Sequence, residues 1–145
     1  MKPKSIAIGG DHAGFELKEK VRKWLLDQGM ELKDFGTSSE DSVDYPDFAH
    51  AVAGDVEEGK HEMGILVCGT GIGVDMAANK HQGIRSALCW NKDISKLAKS
   101  HNNANVVSLP GRFISFEEAK EILNAFFATE CEGGRHQNRI NKISC

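Results

Sequence analysis

Met63-Gly64-Ile65-Leu66-Val67-Cys68, followed at once by Gly69-Thr70-Gly71-Ile72-Gly73, is the stretch on which the fold turns. Its first six residues form a continuous apolar run, without the polar alternation of a strand that has one wet face. Such a run suits a parallel strand covered by helices on both faces. Three glycines in the next five residues make a tight turn, and Ile72 to about His81 reads as a helix. Strand, glycine loop and helix together make half of a βαβ unit.

Working outward, the same alternation continues in both directions. Ser5-Ile6-Ala7-Ile8 is a short apolar run ending in Gly9-Gly10. Phe15, Leu17, Val21, Trp24, Leu25 and Leu26 recur near a 3.6 period, which predicts a helix from Phe15 to Gln28 with Gly29 as its stop. Glu31 to Phe35 alternates as an edge strand does, Gly36 to Asp44 is polar and turn-rich, and Pro46 suits the first turn of a helix reaching Gly59. Downstream, strands are predicted at Ile84–Cys89 and Val106–Leu109, and helices at Asp93–His101 and Phe116–Ala128. A last basic helix, Arg135–Ile143, follows the break at Gly133-Gly134 and is expected to pack on a neighbouring subunit. Five strands separated by helices predict an α/β fold, a Rossmann-like doubly wound parallel sheet with right-handed crossovers. No repeat, low-complexity tract or linker divides the chain, so residues 1–145 are expected to be one domain. Ligands of such sheets bind beyond the carboxyl ends of the strands. That rule singles out Gly9–Gly14, Cys68–Gly73, Cys89–Asp93 and Pro110–Phe113.

Composition narrows the function classes. The 145 residues are 40% hydrophobic and 27% charged with a net charge of −3, so no basic excess is present to follow a nucleic-acid backbone. No apolar run approaches the roughly 20 residues that span a bilayer, and the N-terminus lacks the long apolar stretch of a signal peptide. Cys68, Cys89, Cys131 and Cys145 are scattered without a C-x-x-C pair, which points to neither a cysteine metal site nor a disulfide framework. A reducing, cytoplasmic setting fits them.

Backbone N–H groups of the loop Gly69 to Gly73, backed by a helix N-terminus, favour an anion. That anion is either a phosphate or a charge that exists only in a transition state. A cysteine beside this field suits a thiolate, and thiolate plus anion hole suits proton abstraction next to a carbonyl. By residue chemistry alone, Cys68 reads equally well as a buried structural thiol. The spacing Gly69-x-Gly71-x-Gly73 is a near miss to the dinucleotide fingerprint, but the acidic residue expected after the next strand is replaced by Trp90-Asn91-Lys92.

Other residues at the loops bear on the same question. Asp11 reads as a helix cap or a hydroxyl ligand, and His12 beside it as a donor to a phosphate or a sugar. Arg135 and Arg139, four apart on one helical face, read either as a solvated basic face or as a pair closing on one phosphate, with Arg112 a third cation. His101, before three asparagines in Asn102-Asn103-Ala104-Asn105, reads as a helix-end histidine favoured by the dipole or as part of a sugar-binding loop.

Together Gly10-Asp11-His12-Ala13-Gly14-Phe15, Asp44-Tyr45-Pro46, Cys68 to Gly73, Ala77-Ala78-Asn79-Lys80, Gly83-Ile84-Arg85, His101 to Asn105 and Gly133-Gly134-Arg135-His136 resemble the B-type ribose-5-phosphate isomerases, a superfamily shared with galactose-6-phosphate isomerase subunits. The resemblance runs in order along essentially the whole chain. It implies interconversion of ribose 5-phosphate and ribulose 5-phosphate without metal or organic cofactor, in homodimers or dimers of dimers with sites between subunits. It makes Cys68 the base, with Thr70 and the N–H groups of Gly69, Gly71, Ile72 and Gly73 around the enediolate oxygen. His101 becomes the ring-opening residue aided by Asn102, Asp11 and Tyr45 contact sugar hydroxyls, and His12, Arg112, Arg135 and Arg139 hold the phosphate. One branch of the family carries a glutamate base just after the loop; here that position is Val74. Asp75, next to it, reads as a helix-start acid or as a group that tunes substrate choice or relays a proton. The alternatives to a pentose substrate are a hexose 6-phosphate of allose or galactose type, or a sugar-phosphate-binding subunit without activity.

Overall fold

A computed structural model describes residues 2–145. The strands are β1 (Ser5–Gly10), β2 (Glu31–Asp34), β3 (Met63–Cys68), β4 (Ser86–Leu88) and β5 (Val106–Pro110). Between and after them come α1 (Phe15–Asp27), α2 (Tyr45–Glu57), α3 (Ile72–Ala78), α4 (Lys92–Asn102), α5 (Phe116–Phe127) and α6 (Arg135–Ile140). All strands are parallel, in the order β2-β1-β3-β5-β4. The chain leaves β1 to one side for β2 and returns on the other for β3, so the strand order reverses between β1 and β3. Their carboxyl ends are neighbours, with Gly10 opposite Val67.

Strand β3 serves both faces, as its unbroken apolar run predicts. Ile65 and Val67 join Ile6, Ile8, Val107 and Leu109 beneath α1, α4 and α5, while Leu66 and Cys68 join Ala7 and Val106 against α2 and α3. Lys18 breaks the expectation that lysines are wet: it is fully buried, and its amine bonds both carboxylate oxygens of Asp34 at 3.0 and 2.9 Å. This pair fastens α1 to the end of β2.

Three elements, α3, β4 and α6, are each three residues shorter than the sequence reading, and most other ends move by one or two residues. Helix α3 ends at Ala78 instead of His81, and β4 keeps only Ser86–Leu88. The cause is side-chain hydrogen bonding that replaces backbone ladders. The Asn79 carbonyl accepts from the Ser86 amide at 2.7 Å while its NH2 donates back to the Ser86 carbonyl at 3.0 Å, and Asn105 accepts from the Arg85 amide at 2.8 Å. Helix α6 ends at Ile140.

Candidate active site

Two glycines bring β1 and β3 together at their carboxyl ends. A Cβ on Gly10 or on Gly14 would stand 2.2 Å from the Val67 carbonyl oxygen, so neither position accepts a larger residue without moving the backbone. The Asp11 amide donates to that same carbonyl at 3.2 Å, and the Asp11 carboxylate accepts from the Gly14 amide at 3.1 Å. Asp11 therefore closes the turn that precedes α1 and is not the helix cap read from the sequence, since the N-cap is Gly14 and carries no side-chain bond. The loop after β5 closes the third side: Gly111 donates to the Cys68 carbonyl at 2.8 Å and Arg112 to that of Gly69 at 3.0 Å. The Arg112 side chain fills the space beside Gly69, whose missing Cβ would lie 3.3 Å from Arg112 Cδ.

Within this frame the Cys68 thiol is nearly buried and its Sγ accepts from the Gly71 N–H at 3.2 Å. Gly71 reaches that position with φ +74°, a left-handed conformation that admits glycine without strain. Thr70 is exposed, and its hydroxyl accepts from the Ile72 amide at 3.1 Å. Gly73 leaves room for the Tyr45 ring, which comes to 2.6 Å of where a Cβ would be. His12 accepts from the Val43 amide through Nδ1 at 3.1 Å, so its neutral ring carries the proton on Nε2 and offers a donor there. A groove of about 610 Å³, lined by His12, Ala13 and Arg112 among others, opens beside these residues.

The neighbouring acid and thiol behave differently. Burial pushes the Asp75 carboxyl up, against the opposing effect of the Ser86 and Ser108 hydroxyls. Ser86 donates to Asp75 at 2.6 Å and lies 3.0 Å from the Ser108 hydroxyl, so Asp75 ties α3 to β4 and β5. That placement accounts for the acid structurally. Burial pushes the Cys89 thiol up to about 12, with the Asp75 charge adding and Ser95 opposing, which marks Cys89 as an inert core thiol. Val74 is fully buried, leaving no base at the alternative position.

The remaining sequence candidates are elsewhere. Helix α4 runs back from the end of β4 to the start of β5, so His101 and Asn102 at its C-terminus lie at the amino edge of the sheet. Cys68 pairs with Pro110, the far end of β5. The length of β5 alone separates the two edges by about 13 Å at 3.3 Å per residue. Arg135 and Arg139 are exposed on α6, which packs against α4, and so belong to the His101 edge as well. One chain thus brings together Cys68, Thr70, Asp11, His12, Tyr45 and Arg112, and holds His101, Asn102, Arg135 and Arg139 apart from them.

Two residues at the second edge were not assigned from sequence. His136 stacks on His101 with ring centroids 4.1 Å apart and planes within 10°, and Glu132 faces both rings. Their only sequence signal is the i, i+4 spacing of Glu132 and His136. Of the asparagines, Asn103 ends α4 at φ 45° and Asn105 braces Arg85 and Gly83, so both are structural. Along α4, Ile94 and Leu97 are 45% exposed and fall on the His101 face, three and four residues apart. Trp90 and Phe113 are exposed at the opposite, Cys68 edge.

The described residues include no helix long and apolar enough to cross a membrane. A family model described as Ribose/Galactose Isomerase matches residues 6–143. The chain belongs to the ribose/galactose isomerase family. Ribose-5-phosphate isomerase B of Escherichia coli K12 is 43% identical, over 97% of this chain and 95% of that protein. A crystal structure of a ribose 5-phosphate isomerase from Thermotoga maritima superposes with a TM-score of 0.95 at 53% identity, covering 97% of each chain. The ribose-5-phosphate isomerase B of Mycoplasma genitalium, solved with bound ribulose-5-phosphate, superposes at 0.92 with 42% identity, over 96% of this chain and 93% of that one. The resemblance drawn from the motifs is borne out, as is the five-stranded parallel α/β fold.

Proposed function

We propose that residues 1–145 form one sugar-phosphate isomerase domain that interconverts ribose 5-phosphate and ribulose 5-phosphate in the cytoplasm, without a cofactor. The opened aldose carries an acidified proton on C2. Cys68, as thiolate, removes it and returns it to C1, while the hydroxyl proton passes from O2 to O1, so the cis-enediolate collapses to the ketose. No electron acceptor is required. The loop Gly69–Gly73, with Thr70 beside it, holds the enediolate oxygen; one well-placed donor in such a hole contributes about 3 kcal/mol to the transition state. Asp11 and Tyr45 take sugar hydroxyls. Binding the phosphate through His12, Arg112, Arg135 and Arg139 orients the open chain, which otherwise prefers its ring. His101, with Asn102, opens that ring.

The observation that carries this reading is the Gly71 N–H aimed at Cys68 Sγ in a glycine loop at the strand-order reversal. The separation of His101 from Cys68 adds that a site using both is built from two copies. A two-fold axis on the exposed Ile94–Leu97–His101 face sets α4 antiparallel to its mate. The C-terminus of one α4 then lies beside the N-terminus of the other, at the Cys68 edge. Helix α4 is about 16 Å long at 1.5 Å per residue, enough to reach from one edge to the other.

Subunit mixing tests both parts. Cys68→Ala and His101→Ala are each expected to be inactive alone. Refolded together in equal amounts they form half hybrids, each with one intact site, so activity returns to about a quarter of wild type. No recovery in the mixture would place both groups in one chain's site and sink the shared arrangement; full activity of Cys68→Ala would remove the base. Offering allose 6-phosphate beside ribose 5-phosphate in the same assay separates hexose from pentose use.

A further inference from the structure

We propose that His101, Glu132 and His136 form a binding site for a divalent transition-metal ion of zinc type, and that filling it silences the isomerase. The second half of this statement rests on the ring-opening role of His101 proposed above; the first does not. The ligand atoms of the three residues all lie within 4.8 Å of one another. His101 Nε2 stands 3.6 Å from one Glu132 carboxylate oxygen and His136 Nε2 stands 3.4 Å from the other. Both are too long for an N–H···O hydrogen bond, which spans about 2.7–3.2 Å. The His136 distance matches, and the His101 distance slightly exceeds, the spacing of about 3.3–3.4 Å between two donors that share one tetrahedral ion at about 2.0–2.1 Å each. Two imidazoles and a carboxylate are also a donor set that binds zinc with a fourth position left to water.

The three groups are held from separate directions. The Glu132 amide donates to the Ser100 carbonyl at 2.9 Å, which fixes Glu132 against the last turn of α4. His136 is buried and its amide donates to the Gly133 carbonyl at 3.1 Å. His101, 40% exposed at its side chain, is the adjustable member. Its ring now lies parallel to that of His136, so aiming both lone pairs at one ion requires a turn about χ2, a torsion with a broad minimum in histidine. Arg135 and Arg139 are exposed, and their long side chains can carry their charge away from the ion.

A metal bound to Nε2 of His101 occupies the lone pair that a proton transfer to or from the sugar ring oxygen would use. The ion therefore competes with ring opening.

The test uses the whole protein with Zn2+ alone, titrated against a chromogenic chelator, and Co2+ as a spectroscopic stand-in. Wild type is expected to bind about one ion per chain, with affinity reduced at least about tenfold in Glu132→Gln and in His136→Gln. Four-coordinate cobalt bands without a thiolate charge-transfer band are expected. Equal affinity in wild type and both variants, or a thiolate band, would place the ion on a cysteine and overturn the site. At tenfold excess over Kd, zinc should lower isomerase activity about tenfold, with recovery on adding a chelator. Glu132→Gln, compared with its own metal-free rate, should resist. Zinc bound through Glu132 with undiminished isomerisation would uphold the site and overturn the ring-opening role of His101.

Discussion

Replacing Gly71 with alanine tests whether the glycine loop is built for its conformation and for the donor that it aims at Cys68. The structure separates two contributions. Gly71 sits at φ +74°, where an L-residue costs about 1–2 kcal/mol. The new methyl would also meet Leu88 Cδ1 at 2.5 Å and the Leu109 carbonyl carbon and oxygen at 3.0 and 3.1 Å. Leu88 can swing aside, but the Leu109 carbonyl belongs to the sheet, so overpacking adds about 1–3 kcal/mol. The total is about 2–5 kcal/mol. For a chain of this length, each kcal/mol lowers Tm by about 3 °C, which gives a fall of about 6–15 °C. Gly29→Ala is the control, because Gly29 has φ +80° and nothing within 4 Å of its Cβ position. It should lose only the conformational part, about 3–6 °C. Thermal melts followed by circular dichroism measure both variants, and initial rates of ribulose 5-phosphate formation are read well below either melt. Gly71→Ala should lose at least about tenfold in kcat as its N–H leaves Sγ, against a limit of 10²–10³ for one lost donor. Gly29→Ala should keep full activity. Equal melts for the two variants would refute the steric argument. A destabilised but fully active Gly71→Ala would refute the role of its N–H at the sulfur.

Two further outcomes follow from buried charges. Because burial raises the Asp75 carboxyl above its ordinary value of 3.8, the folded state holds a proton there that the unfolded chain has released. Its contribution to stability is present at low pH and is lost as pH rises through the raised value. Asp75→Asn keeps an acceptor for Ser86 and cannot titrate, so its urea midpoint relative to wild type should improve as pH rises above the ordinary value of 3.8; a constant difference would contradict the burial argument. Lys18→Met should lower stability by about 1–3 kcal/mol in urea titrations, since Asp34 loses the amine that bonds both its oxygens and keeps only Arg22 at 3.8 Å and the Gly36 amide at 2.9 Å. A neutral result would mean that Asp34, a third exposed, is served as well by water.

The sheet was legible because its signals are local and repeated: apolar runs of strand length, glycine stops and helical periods. What escaped depends on side chains standing in for backbone. Asn79 and Asn105 cut α3 and β4 short by pairing with Ser86 and Arg85, and nothing in their neighbourhood distinguishes them from other loop asparagines. Lys18 was hidden because its partner, Asp34, is sixteen residues away on another element. In the site, Cys68 and its loop could be read directly, since strand end, thiol and glycines are contiguous. The division of the candidates between two sheet edges was not read from the motifs. Glu132 and His136 escaped because their meaning comes from His101, which packing rather than sequence brings beside them.

The placement of Cys68 and His101 at opposite ends of β5 has a consequence for how such a catalyst behaves in bulk. On the proposed arrangement a lone chain carries two half-sites that it cannot fold onto each other, so turnover becomes a property of encounters. Specific activity is then a function of protein concentration, falling on dilution below the association midpoint while every molecule remains folded. A cell that halves the amount of this protein near that midpoint loses more than half of its flux.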